Sequence, residues 1–135
     1  IKLVIMKTFL FSTILLFVVA VNAKAQTADT TLVINFASTV HDYGTITQGA
    51  DGSCEFKFTN GGKTPLTLNN VRASCGCTVP SWTKEPVAPG GEGVIKVTYN
   101  TANMGTFNKS ITVNSNAKNA EVILQIKGTV VAKPQ

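Results

Sequence analysis

The sequence predicts an all-β, immunoglobulin-like antiparallel β-sandwich of about seven strands, and three features of the chain lead to it. Short runs alternate between apolar and polar residues with a period of two, which is typical of strands that bury one face. Clusters rich in Gly, Pro, Asn and Ser separate these runs at short intervals. Beyond residue 25, no segment keeps an apolar period of 3.6 residues over several helical turns.

Each predicted strand places its apolar residues on one face. The runs are TLVINF, SCEFKF, VIKVTY, SITVN and VILQIKGTV, in that order along the chain. Between their apolar positions stand polar residues such as Glu55, Lys57 and Lys96, which are expected to face solvent. The residues expected to face the core are Leu32, Ile34, Phe36, Cys54, Phe56, Phe58, Ile95, Val97, Tyr99, Ile111, Val113, Val122, Leu124, Ile126 and Val130.

Turn segments divide these runs. NGGKTP, from Asn60 to Pro65, stands between two strand-like runs, and APGGEG, from Ala88 to Gly93, directly precedes a third. NSNAKNA separates the last two strands. Many short strands joined by such turns indicate a sandwich, although the Cys-Trp-Cys spacing of antibody domains is absent.

The N-terminal segment is interpreted as a secretory signal peptide. Lys2 and Lys7 lie before the apolar run TFLFSTILLFVVAV, and Ala23 and Ala25 form an A-x-A cleavage pattern after it. An uncleaved membrane anchor is the alternative, but an anchor needs about 20 consecutive apolar residues, and Lys7 interrupts the longer run. Export to the periplasm or the extracellular space is therefore expected, with no stable membrane span after cleavage.

The predicted domain organisation follows from the leader. Translation is expected to start at Met6, and cleavage to leave Gln26 as the first mature residue. The rest is long enough for one domain with one core. The predicted segments are a signal peptide at 1–25, a flexible mature N-terminus at 26–31, an immunoglobulin-like domain at 32–131 and a C-terminal tail at 132–135.

The basic charge of the full chain argues little for nucleic-acid binding. Three of the 12 Lys and Arg residues precede position 26 and all 7 acids follow it, so the formal charge falls from +5 to +2 on cleavage. No stretch clusters basic residues with aromatic ones, and no nucleic-acid partner is expected.

The stretch RASCGCTVPSW holds two of the three cysteines, Cys75 and Cys77; the third is Cys54. An odd number leaves at least one thiol unpaired in a monomer. Loop-closure entropy would give a Cys75–Cys77 bridge about 1.6 kcal/mol and a Cys54–Cys77 bridge about 3.4 kcal/mol. Gly76 permits the turn that the short bridge requires. A bridge between Cys75 and Cys77, a bridge from Cys54 to either, and three reduced thiols all remain open.

Two chemical alternatives use the same pair. A thiol-disulfide oxidoreductase needs a thiol of depressed pKa, and Arg72 and Lys84 are the only nearby cations, outside any thioredoxin-like pattern. Cu(I) could be held by the two thiolates. Further ligands would have to come from His41, Met104 or Cys54, and nothing in the sequence indicates that these side chains lie near the pair. No cofactor is predicted.

Five other residues are weighed as site candidates, and none is assigned a functional role. His41 and Asp42 are adjacent, so in a strand they face opposite ways and form no catalytic dyad. Trp82 and Tyr43 could form an aromatic platform, but are expected to cover the core and to satisfy their polar atoms there. Asn108 begins a formal glycosylation sequon, NKS, which is a weak motif.

The motifs HDYGTI, FKFTNGGKTPLTLNNVRASCGCTVPSW, PVAPGGEGVIKVTYNT, GTFNKSITVNSN and LQIKGTV occur in this order over about Leu32 to Val131. In this combination the chain resembles the bacterial domain-of-unknown-function family fifteen seventy-three. The resemblance implies a secreted or cell-envelope protein with a fold related to major sperm protein and Hydin-type immunoglobulin-like domains. It implies no settled biochemical activity, and Cys54 departs from the apolar residue expected in its strand.

The functional prediction is a non-enzymatic interaction or structural module of the bacterial cell envelope, whose partner is another envelope or extracellular protein. Loops on a rigid scaffold commonly carry binding residues. The predicted binding loop therefore runs from Ala73 to Trp82. Its candidate residues are Ser74, Gly76, Thr78, Pro80 and Trp82, with Cys75, Cys77 and Cys54 as redox or disulfide candidates.

Overall fold

Two four-stranded β-sheets face each other in the computed structural model, which describes residues 31–135. The predicted leader lies outside the described residues. One sheet has the order β1-β3-β6-β5 and the other β2-β8-β7-β4. The strands are β1 (Ile34–Phe36), β2 (Val40–Thr47), β3 (Ser53–Asn60), β4 (Leu68–Ala73), β5 (Thr78–Trp82), β6 (Glu92–Tyr99), β7 (Gly105–Ser115) and β8 (Glu121–Val131). The predicted all-β, immunoglobulin-like sandwich is confirmed.

Two details of the sheets differ from the prediction. The described residues form eight strands rather than about seven, and β2 runs parallel to β8, whereas every other pair is antiparallel. The parallel pairing arises because the first extended segment changes sheet between Phe36 and Val40: β1 pairs with β3, and β2 pairs with the last strand. The additional strand is β5. A bulge interrupts β2, where Gly44 has a φ of +61° and donates its N–H to the Asp42 carboxylate.

The core lies between the sheets and contains the residues that the period-two pattern predicts. Phe58, Ile95, Ile111 and Leu124 are almost wholly shielded from solvent. Of the predicted core residues, only Phe36 and Val122 are half-buried, and both still pack against the cluster. The alternation succeeds because each sheet buries one face and exposes the other, so successive side chains meet different environments.

β5 is the strand that the sequence analysis missed. Residues from Thr78 to Trp82 were interpreted as part of a binding loop, but they pair with β6 from Tyr99 to Ile95. Pro80 hid this strand because it cannot donate a hydrogen bond to a ladder. The structure resolves the conflict by placing β5 at the edge of its sheet.

Buried or bridging asparagines anchor the turns. The Asn60 side chain donates to the carbonyls of Thr64 (2.7 Å) and Val87 (2.9 Å) and accepts from the Gly62 N–H (2.8 Å). Asn119, in the turn between β7 and β8, accepts from the Ile34 N–H and donates to the Ile34 carbonyl. It thus pairs with β1 as a neighbouring strand would.

Candidate functional site

Cys75 and Cys77 lie in the turn that carries the chain from one sheet to the other. β4 ends at Ala73 and β5 begins at Thr78. In the structure the Cys75 and Cys77 sulfur atoms are joined, and their Cα atoms lie 5.4 Å apart. This separation falls inside the range usual for disulfides, since the chain turns at Gly76.

Backbone hydrogen bonds hold both ends of this turn. The Ser74 N–H donates to the Ser110 carbonyl (2.9 Å), and the Ser110 N–H donates to the Ser74 hydroxyl (3.2 Å). At the other end, the Asn100 N–H donates to the Cys77 carbonyl (2.8 Å). The turn is therefore anchored to β7 on one side and to the end of β6 on the other, independently of the sulfur atoms.

A buried hydroxyl lies beside both sulfur atoms. Thr78 is only 3% exposed, and its Oγ1 lies 3.7 Å from the Cys75 Sγ and 3.9 Å from the Cys77 Sγ. Since a disulfide sulfur carries no hydrogen, the hydroxyl must be the donor, and its single hydrogen can point to either sulfur. This residue was predicted as part of a binding loop, but its side chain points into the protein.

The outer side of the turn is open. Gly76 is exposed, and a Cβ there would have no neighbour within 4 Å. Cys75 and Cys77 are both half-buried, and only Cys77 packs against the core. A shallow depression of about 420 Å³ begins here, bounded by Gly76, Cys77, Val79 and the chain around Asp51 and Asn100.

Val79 is the exposed apolar residue of this region, and the sequence analysis did not select it. It lies on β5 with 64% of its surface exposed, whereas its neighbours Thr78 and Pro80 are buried and half-buried. The alternation of TVPSW would have predicted Val79 on the outer face, had the segment been recognised as a strand.

The aromatic candidates do not form a shared platform. Tyr43 and Trp82 lie in different sheets and share no ring contact among the described residues. Tyr43 packs against Phe107, and its hydroxyl donates to the Gly52 carbonyl (2.6 Å), as a core-covering role predicts. Trp82 packs on the core, and the Lys84 ammonium lies 3.0 Å from its ring centroid. Its indole N–H has no hydrogen-bond partner in the described part of the chain, although a partner was predicted.

Cys54 lies in a different environment from the two cysteines of the turn. It is 7% exposed on β3, faces the core, and is free. Burial raises the pKa of its thiol, which favours the neutral form. Of the alternatives left open by the sequence, the structure therefore represents the Cys75–Cys77 pairing, with Cys54 packed as a small apolar residue.

His41 forms no dyad with Asp42. Its ring meets the edge of Tyr43, with centroids 4.5 Å apart, while the Asp42 carboxylate accepts from Gly44 and lies 3.7 Å from the Lys127 ammonium. Within residues 31–135, no group of three or more His, Cys, Asp or Glu side chains is placed to hold a metal ion. His41 is thus not gathered with the cysteines of the turn into such a group.

The family comparison agrees with this architecture. A profile of the family described as "Protein of unknown function (DUF1573)" matches residues 34–130. The chain belongs to this family. The predicted resemblance is confirmed, and the match runs from the first residue of β1 to the last but one of β8. No curated protein matches the chain significantly.

Solved structures share the fold at low sequence identity. A Porphyromonas gingivalis protein of unknown function is 20% identical with a TM-score of 0.67, over 80% of this chain and 51% of that one. A PapD-like domain of human CEP192 is 11% identical with a TM-score of 0.62, over 84% of this chain and 94% of that one. The secreted serine protease VesC of Vibrio cholerae is 16% identical with a TM-score of 0.57, over 79% of this chain and 25% of that one.

At these identities the likeness establishes the fold alone. This DUF1573 chain spans about half the length of the Porphyromonas protein and a quarter of VesC. None of the described residues belongs to a helix long and apolar enough to cross a membrane.

Proposed function

We propose that this DUF1573 protein is an exported, non-enzymatic module of the bacterial cell envelope that binds another envelope or extracellular protein. The observation that carries the proposal is the exposure of Val79 on an edge strand, directly beside the depression at Gly76 and Cys77. An apolar side chain on a rigid edge, next to a concave surface, suits contact with a protein partner better than with water.

The surroundings of Val79 support a protein partner. Its cross-strand neighbour Thr98 is polar and exposed, and Asp51 and Asn100 bound the depression on the far side. An apolar centre with a polar rim is the common arrangement of protein interfaces. The proposed binding surface therefore has Val79 at its centre and Thr98, Asp51 and Asn100 at its rim, and of the predicted loop it keeps the part around Gly76, Cys77 and Val79.

Site-specific photo-crosslinking tests this assignment. A photoreactive residue is placed at Val79 and, as a matched control, at Asn108, which is exposed on the outer face of the other sheet. In cells that export the protein, we expect one discrete protein adduct from position 79 and none from 108. The adduct partner, once purified, should lose at least tenfold in affinity for Val79→Asp, because a carboxylate would be desolvated at the contact.

Equal labelling from both positions, or unchanged affinity of Val79→Asp, would remove the support for this surface. Export is tested in the same cells by fractionation, since a cytoplasmic location would contradict the envelope assignment.

A further inference from the structure

The cysteine turn combines three properties that a purely structural bridge does not need. The bridge spans only one intervening residue, so opening it releases little chain entropy. Its outer side at Gly76 is open to solvent. Its inner side meets the hydroxyl of the buried Thr78, which contacts both sulfur atoms.

We propose that Cys75 and Cys77 form a reversible thiol-disulfide exchange site whose substrates are dithiol proteins of the exported compartment. This goes beyond the interaction role: it rests on the proposed export but not on the Val79 surface, because the exchange takes place at the sulfur atoms of the turn.

The exchange is balanced as a two-electron transfer. A thiolate of the dithiol attacks one sulfur of the Cys75–Cys77 bond, forms a mixed disulfide, and expels the other cysteine as a thiolate, which takes up a proton. The second thiolate of the dithiol then attacks the mixed disulfide. This releases the first cysteine as a thiolate, which is protonated in turn. The partner is oxidised to a disulfide, and Cys75 and Cys77 are reduced to two thiols.

Thr78 is placed to assist either direction of attack. Its Oγ1 lies at 3.7 Å and 3.9 Å from the two sulfur atoms, so the hydroxyl can donate to whichever sulfur becomes the leaving thiolate. A hydrogen bond to a charged acceptor is stronger than one to a neutral acceptor, so the contact tightens as negative charge develops. No other hydrogen-bond donor is recorded at the two sulfur atoms among residues 31–135.

We expect the fold to persist when the Cys75–Cys77 bond is reduced. The hydrogen bonds of Ser74 with Ser110 and of Asn100 with Cys77 hold both ends of the turn without the sulfur bond. Cys54 is buried in the core and free, so it does not compete readily for a partner's thiolate. Reduction should therefore be local and reversible.

The test is the rate of reduction of the mature chain by dithiothreitol at pH 7, followed by alkylation and mass spectrometry. The variants are Thr78→Val, which keeps the shape and removes the hydroxyl, and Thr78→Ser, which restores a hydroxyl. Thr101→Val is the matched control, since Thr101 is also buried but its hydroxyl donates to the Ala50 carbonyl. Circular dichroism checks that each variant is folded.

We expect clean reduction to the dithiol with the fold retained, and re-formation of the same bond with oxidised dithiothreitol. Thr78→Val should slow reduction about tenfold, while Thr78→Ser and Thr101→Val stay near the wild-type rate. The proposal is overturned if the bond is absent from the exported protein, if it opens only on unfolding, or if Thr78→Val reacts as fast as the wild type.

Discussion

Tyr43 and Cys54 show how two residues on facing sheets come to share one environment. Tyr43 reaches across from β2 so that its hydroxyl donates to the Gly52 carbonyl, and it also lies against the Cys54 thiol. Burial is the main cause that raises the pKa of both groups, and their contact adds to the rise at Tyr43. Both side chains are therefore held in the neutral form.

The stability of the domain should fall in alkali for this reason. An acidic group whose pKa is raised in the native state loses its proton at a lower pH in the unfolded chain than in the folded one. The contribution of the group to stability is therefore complete below its ordinary pKa and is lost as the pH rises above that value. The loss should begin near pH 9, the ordinary value of a thiol, and grow past pH 10, that of a tyrosine. Urea unfolding between pH 7 and 10.5 measures it.

Two variants show how much of the stability loss in alkali is caused by each residue. Tyr43→Phe should lower stability at pH 7 by about 1 kcal/mol through the lost hydrogen bond, but flatten the alkaline limb. Cys54→Ala should flatten the part that begins near pH 9. A wild-type curve that is level from pH 8 to 10.5 would contradict this account.

Asn60 is a buried polar residue whose side chain holds the turn that follows β3. Its side chain makes three hydrogen bonds, to Thr64, Val87 and Gly62, and is only 2% exposed. Asn60→Ala would leave two carbonyls and one N–H without this partner.

We expect Asn60→Ala to cost about 2–4 kcal/mol of unfolding free energy, because three hydrogen bonds worth about 1 kcal/mol each are lost together. Denaturant titration measures the change. Asn114→Ala is the control, since Asn114 is half-exposed and its side chain makes one exposed hydrogen bond, to Glu121; the change should cost less than about 0.5 kcal/mol. Equal losses in both variants would show that the Asn60 network is not special.

At the scale of the element, β5 is an edge strand that its proline protects. Asn100 bonds Cys77 and Thr83 bonds Val94, so the alternation of the antiparallel ladder points the backbone of Pro80 away from β6. A proline at this position offers no N–H to an incoming strand. Edge strands commonly carry such residues because an open edge invites pairing with another chain.

Pro80→Val should therefore promote self-association. The new residue supplies an outward N–H and a strand-favouring side chain while keeping the ladder to β6. Light scattering at increasing protein concentration should show dimers or larger species that the wild type lacks. Ser81→Val is the matched control, because it adds apolar surface at a position whose own N–H already faces β6. If both variants associate equally, exposed apolar area rather than the edge is responsible.

At the scale of the whole molecule, the sandwich is tied together by contacts between distant parts of the chain. The aromatic group of Tyr43, Phe107 and Tyr99 links strands of both sheets, with Phe107 and Tyr99 stacked at 3.8 Å. The turn between β7 and β8 clamps β1 through Asn119 and, through Asn116, the backbone of Thr67 before β4. These ties set the two sheets in place around one core.

Mass spectrometry of the exported protein tests the organisation of the whole chain. We expect Gln26 at the N-terminus, a Cys75–Cys77 bond and a free thiol at Cys54, detected by alkylation before and after reduction. A retained leader would contradict the signal-peptide prediction, and a bridge to Cys54 would contradict the pairing seen in the structure.

The sequence by itself determined the fold class and the core faces, because a period of two records which side of each strand is buried. The family came from the resemblance of its ordered motifs. The sequence also placed the turns, as at Asn60 and Ala88, where Gly permits turn conformations and Pro fixes φ. It did not reveal β5, since Pro80 is compatible with a strand only at an edge, and strand order is a property of the assembled sheets.

The tertiary structure alone decided the sheet change after Phe36, the parallel pairing of β2 with β8, and the exposure of Val79. It also brought the Thr78 hydroxyl to the sulfur atoms of Cys75 and Cys77 and separated them from the core-facing Cys54. The physical reason is common to all of these: local alternation fixes which face a side chain occupies, whereas its neighbours across strands are fixed only when the two sheets pack.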